Sequence, residues 1–118
     1  HSIYLFAATL GPEVDKIIQR NSKVNPAKAI ILQSAAAMFI EEYCDLLQNH
    51  LLLQEKSENN ILNPRFSPGY GDINLNVQKI FFELLQCSKN LALTLNDSLI
   101  MSPEKSVTAF IGIRKENN

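Results

Sequence analysis

The chain reads as an α+β domain, an antiparallel or mixed sheet packed with helices that include one long apolar helix. Three features predict this: an opening apolar run of strand length, a middle dominated by helical spacing, and a final segment of alternating residues. With 118 residues, 46% of them apolar and 19% charged, the composition is that of one globular domain over positions 1–118. That length suffices for a real core.

Ile3 to Leu10 are apolar on both alternating faces, as in a strand covered on both sides, and the run stops at Gly11-Pro12. Pro12 suits the first turn of a helix, Glu13 and Asp15 sit near its positive end, and Val14, Ile17 and Ile18 supply an apolar stripe. "NPAK" repeats the start signal: Asn25 caps and Pro26 opens a helix that runs past Leu47 toward Gln54. Its first half, "AIILQSAAAMFI" from Ala29 to Ile40, is apolar almost all round and is expected to be buried. Glu41, Glu42, Asp45, Gln48 and Asn49 give the second half a wet face.

Residues 55–60, "EKSENN", form the most polar segment and read as an exposed connection. Val77, Ile80, Phe81, Leu84 and Leu85 then recur at helical spacing, with Gln78, Lys79, Glu83 and Gln86 turned elsewhere. "LALTL" and "SVTAFIGI" alternate as strands, the second with Val107, Ala109, Ile111 and Ile113 on one face. Between them "NDSLIMSPEKS" holds turn residues around a buried "LIM".

The formal charge of −1, with eleven scattered Lys and Arg, leaves no footprint for nucleic acid or an anionic membrane. No stretch reaches the roughly 20 apolar residues of a membrane span, and the first residues do not read as a signal peptide, so a cytosolic setting is expected. Cys44 and Cys87 are too few for a disulfide framework and, with His1 and His50, show no metal-ligand spacing. They read as free thiols packed as small hydrophobes, and Met38 and Met101 as core filler. His50 suits a structural place toward the end of its helix, and Lys105 a solvated surface.

"NPRFSPGYGD", from Asn63 to Asp72, concentrates two prolines and two glycines beside one Arg, one Tyr and one Asp. Turn-making alone accounts for such a stretch, with Asp72 or Asn74 capping the next helix. The same residues also suit a polar ligand. Arg65 offers a rigid fork of donors for a carboxylate or phosphate, and Gly69 and Gly71 permit close approach to the main chain. Tyr70 adds a ring face and a hydroxyl, and Asp72 an acceptor for a diol or an ammonium. Together these groups match a zwitterionic nucleoside.

"RFSPGYGD", then "VQKIFFELL", then "LTLNDSLIMSPEKSVTAFIGI" resemble, in that order, the activation domain of cobalamin-dependent methionine synthase. "YLFAATLGPEVDKII" resembles the upstream part of the short, stand-alone versions of that domain. In that family an Arg-x-x-x-Gly-Tyr motif binds S-adenosylmethionine, and it falls here on Arg65, Gly69 and Tyr70. The resemblance implies that Arg65 and the main chain from Ser67 through Pro68 to Gly69 contact this ligand. Tyr70 would lie where the adenosine or the corrin sits, with Asp72 and "MSPEKS" as neighbours.

The implied role is reductive reactivation of cob(II)alamin. The cobalamin is carried by a partner, the cobalamin-binding domain of methionine synthase or another corrinoid protein, and the electron comes from a reductant such as flavodoxin. No catalytic base is needed for transfer from a sulfonium, only a carbon held close and in line. The family carries a further N-terminal portion with an acidic ligand-binding residue, so this chain is expected to correspond to the C-terminal portion, with bare apolar surfaces that favour a homodimer. A second reading is a docking or assembly protein that contacts a corrinoid protein without holding the methyl donor. An independent enzyme using Cys87 or His50 finds no base or orienting partner in the sequence.

Overall fold

A computed structural model describes residues 2–69 and 73–116. β1 (Ser2–Thr9) is the opening apolar strand, and it pairs antiparallel with β5 (Ser106–Lys115) from Ser2 opposite Ile113 to Thr9 opposite Ser106. β2 (Asn60–Leu62) lies antiparallel on the other edge of β5, giving the order β1-β5-β2. The last long strand is therefore the middle of the sheet, and from Ser106 to Ile113 it is mostly β-branched and small residues that fit a surface covered on both sides.

Gly11 ends the strand in a left-handed conformation at φ 87°, which favours a residue without Cβ, and Pro12 then opens α1 (Pro12–Val24). Asn25 caps α2 (Pro26–Lys56), its side chain accepting from the Lys28 amide at 3.3 Å. α2 packs on one face of the sheet. Ile40 and Cys44 meet Phe6, Ala8, Ala109 and Ile111 in the main core, where Ala109 and Ile111 are fully buried. α3 (Val77–Leu85) and α4 (Cys87–Leu91) lie against β1, and Gln78 on α3 bonds Thr108 on β5, which places α3 on the face opposite α2. Helix, sheet and helix thus form three layers.

The α+β class with an antiparallel sheet holds, and the long apolar helix needs correction. α2 has 31 residues, yet only Ala29, Ala36, Ile40 and Cys44 are buried, while Ile30, Ile31, Met38 and Phe39 are exposed. Among the described residues α2 is covered by α1, by the sheet and by Arg65 on Glu41, Asp45 and Gln48, which leaves these apolar side chains in the open. No described helix is long and apolar enough to cross a membrane. On α3, Gln78 is buried whereas Ile80 and Leu84 are exposed, the reverse of the sequence expectation, because Thr108 supplies the glutamine with a partner.

"LALTL" is strand only at β3 (Thr94–Leu95), which pairs with β4 (Met101–Ser102). Gln86 at φ 49° and Ala92 at φ 54° break the chain on either side of α4, and the Leu93 amide donates to the Cys87 carbonyl. Local turn bonds override the leucine alternation there. "LIM" is only half-buried at Leu99 and Met101, and Ile100 is exposed. "EKSENN" is no plain connection either: α2 continues to Lys56 and β2 begins at Asn60. The two cysteines are buried free thiols, pushed up in pKa chiefly by burial.

Glu55 ties the end of α2 to the sheet. The Tyr4 hydroxyl donates to its Oε2 at 2.6 Å and Asn60 Nδ2 to its Oε1 at 2.7 Å. The Tyr4 bond first, then the Asn60 bond, hold the Glu55 carboxyl below its ordinary value of 4.5. A lowered carboxylate pKa stabilises the fold above the unfolded value and loses that contribution as pH falls through the folded one. Thermal melts from neutral to acid pH are therefore expected to show a shallower loss of stability below pH 4.5 for Tyr4→Phe than for wild type. Superimposable acid limbs would refute the Glu55 assignment.

Candidate functional site

Past β2 the chain stays on the edge of β5. The Asn63 amide donates to Gly112 O at 2.9 Å, and Phe66 and Phe110 exchange both main-chain bonds, at 3.0 and 2.8 Å. Gly112 leaves room for the Asn63 side chain, whose Nδ2 would stand 2.8 Å from a Cβ there and would have to shift. The Phe66 and Phe110 rings stack tilted, with centroids 6.0 Å apart. Residues 63–66 thus act as a short continuation of the sheet edge, and Arg65 points off it.

Arg65 reaches α2. Its Nη1 donates to Asp45 Oδ1 at 2.8 Å and to Gln48 Oε1 at 2.9 Å, and its Nη2 donates to Glu41 Oε2 at 2.9 Å. Positions 41, 45 and 48 share one helix face because they are spaced four and three apart. The guanidinium keeps 18% of its side-chain exposure, while the two carboxylates are mostly in water. Burial pulls the Arg65 pKa down, and the bonds to Asp45 and Glu41 more than offset this, holding it above its ordinary value. The fork predicted for a ligand is engaged by the chain's own helix.

Beside this clamp lies a cleft of about 430 Å³. Arg65, Ser67 and Pro68 form one wall, Glu41 another, and Gln78 and Thr108 lie deepest. Phe66, Met101, Ser106 and Val107 complete it, so the "MSPEKS" turn borders the Arg65 segment. Gly69 stands next to the cleft without lining it, at φ 94°, and its amide donates to Ile73 O at 2.9 Å. Tyr70 and Asp72, the remaining residues singled out in the sequence, lie outside the described residues.

Two groups of the cleft escaped the sequence reading. Thr108 alternates with Val107 and Ala109 and so faces α3, where the amphipathic pattern of 77–85 gave no reason to place Gln78 inward. Its hydroxyl donates to Gln78 Oε1, a buried polar pair at the cleft floor. The turn itself is pinned from below. The Glu104 amide donates to Asp15 Oδ2 at 2.8 Å, and the Leu10 amide to Lys105 O at 2.9 Å. Thr9 Oγ1, which accepts from the Gly11 amide, hydrogen-bonds Ser106 Oγ, and that hydroxyl donates on to Pro103 O.

The sequence matches no protein-family model and no curated protein. Among solved structures the chain is similar to the MetH reactivation domain bound to AdoHcy, at a TM-score of 0.75 and 21% sequence identity over 92% of this chain. It shares that fold. It spans 38% of the length of that chain.

Two substitutions test the cleft's construction. Thr108→Val strands a buried acceptor on Gln78 and is expected to lower stability in denaturant unfolding by about 1–3 kcal/mol, whereas Thr108→Val with Gln78→Met recovers most of it. A harmless Thr108→Val would contradict the pairing. Gly69→Ala puts a Cβ 3.2 Å from Leu75 Cδ1 in left-handed backbone and is expected to cost about 1–2 kcal/mol by the same measurement.

Proposed function

We propose that this chain is an S-adenosylmethionine-binding module that serves the reductive reactivation of a corrinoid held by a partner, of the kind found in cobalamin-dependent methionine synthase. The observation that carries the reading is the cleft of about 430 Å³ beside Arg65, Ser67 and Pro68 in a chain with the fold of a domain solved with AdoHcy. Its size lies in the range of sites for ligands of that kind.

S-adenosylmethionine would supply a methyl group that leaves sulfur without the S–C bonding pair and bonds to cobalt, as Co(II) takes one electron from a reductant such as flavodoxin. S-adenosylhomocysteine is the leaving product. The chain's own residues bind and orient. Arg65 fixes the 63–69 segment on α2 through Glu41, Asp45 and Gln48, so the main chain of Ser67 and Pro68 presents a set surface. The Glu41 carboxylate gives the cleft an anionic wall toward a sulfonium or ammonium. Gln78 and Thr108 offer an amide and a hydroxyl at the floor for a nucleoside edge.

One observation favours the docking reading, in which the chain contacts a corrinoid protein and holds no methyl donor. The three short bonds on the terminal nitrogens of Arg65 leave less of its fork for a ligand carboxylate. Calorimetric titration with S-adenosylmethionine separates the two. The activation reading predicts saturable heat from wild type and roughly 10- to 30-fold weaker binding for Arg65→Ala, the loss of one charge-assisted anchor. Equal, tight binding by both proteins would refute the role of Arg65, and silence from a wild type that still binds a corrinoid protein would establish the docking reading.

A further inference from the structure

Leu32, Phe39, Leu46 and Leu53 stand at every seventh position of α2, one seam along a helix of 31 residues and distinct from the face that buries Ala36, Ile40 and Cys44. Phe39, Leu46 and Leu53 are more than 60% exposed, and Ile31, Met38 and Tyr43 flank them in the open. At roughly 200 Å² for a large side chain fully in water, these six present on the order of 800 Å² of surface. That exceeds the largest apolar patch of an ordinary monomer, about 300–600 Å², and equals the roughly 800 Å² that one partner gives to a standard interface.

The seam has two unlike halves. α1, 13 residues long, runs beside the first half only. The two helices leave between them an apolar groove of about 160 Å³, lined by Leu10, Val14, Ile17, Leu32, Ala35 and Phe39. The second half carries Leu46 and Leu53 as a bare ridge.

We infer that this face binds a second copy of the chain, with the two α2 helices antiparallel about a two-fold axis between Glu42 and Tyr43. The seam is symmetric about that point, so Leu32 faces Leu53 of the second copy and Phe39 faces its Leu46. Each ridge then enters the other copy's groove, a self-complementary arrangement that closes as a dimer. Glu42 lies opposite Tyr43 of the second copy, whose hydroxyl can donate to the carboxylate. A parallel pairing would set ridge on ridge and leave both grooves bare. The pairing leaves the cleft beside Arg65 outside the seam, so the inference stands apart from the proposed function.

Sedimentation velocity across the micromolar range is the test, with wild type compared with Leu46→Glu and Phe39→Glu. The expected result is a wild-type dimer whose dissociation constant rises roughly 100-fold or more in either variant, with helical circular dichroism unchanged because both side chains are exposed in the single chain. Orientation is read by oxidative cross-linking of Phe39→Cys mixed with Leu46→Cys, whose mixed disulfide is expected to exceed either self-pair. Cys44 and Cys87 are buried and do not compete. A wild type that stays monomeric, a dimer indifferent to both glutamates, or a preference for the self-pairs would each overturn the inference.

Discussion

Everything at the candidate site takes its position from β5. One face of this strand buries Ala109 and Ile111 against Ile40 and Cys44 of α2, and the other turns Thr108 to Gln78 of α3. Its edge on the β2 side holds Asn63 and Phe66 by main-chain bonds. A single strand thus sets the distances between the floor of the cleft, its Arg65 wall and the helix that anchors it. Because β5 pairs from Ser106 to Ile113 with the whole of β1, roughly a hundred residues earlier, these distances exist only once that long-range pairing has formed.

α2 is asked to do three things at once, which explains why its pattern is not that of a simple amphipathic helix. One face closes the core, a second carries Glu41, Asp45 and Gln48 to Arg65, and a third is apolar and open. A sequence with apolar residues on two faces looks apolar all round. That is why Ala29 to Ile40 reads as a buried helix when only part of it is buried, and burial by a partner is the physical alternative to burial by the chain itself.

The elements built on strong local signals were legible: Gly11-Pro12, the Asn25 cap and the alternation of 106–113 each act over a few residues and appear where the sequence puts them. Of the candidate site, the segment of Arg65, Ser67 and Pro68 was legible as a cluster, and its nearness to "MSPEKS" followed from the resemblance. The rest depends on distant partners. Gln78 turns inward because the hydroxyl of Thr108, 30 residues away, donates to it there, and the Arg65 fork is claimed by carboxylates at least 20 residues upstream. Periodicity carries no information about such pairings, and β3 and α4 were misread because two left-handed residues, Gln86 and Ala92, cut a regular leucine pattern.

We propose that an adenosylated ligand sits in the cleft held together by β5 and Arg65. Amide hydrogen exchange, followed by mass spectrometry with and without S-adenosylhomocysteine, reads this most directly. Slowed exchange is expected at 66–67 and 106–108, amide-bearing residues that line the cleft. Protection elsewhere with these amides unchanged, or no protection at saturating ligand, would contradict it.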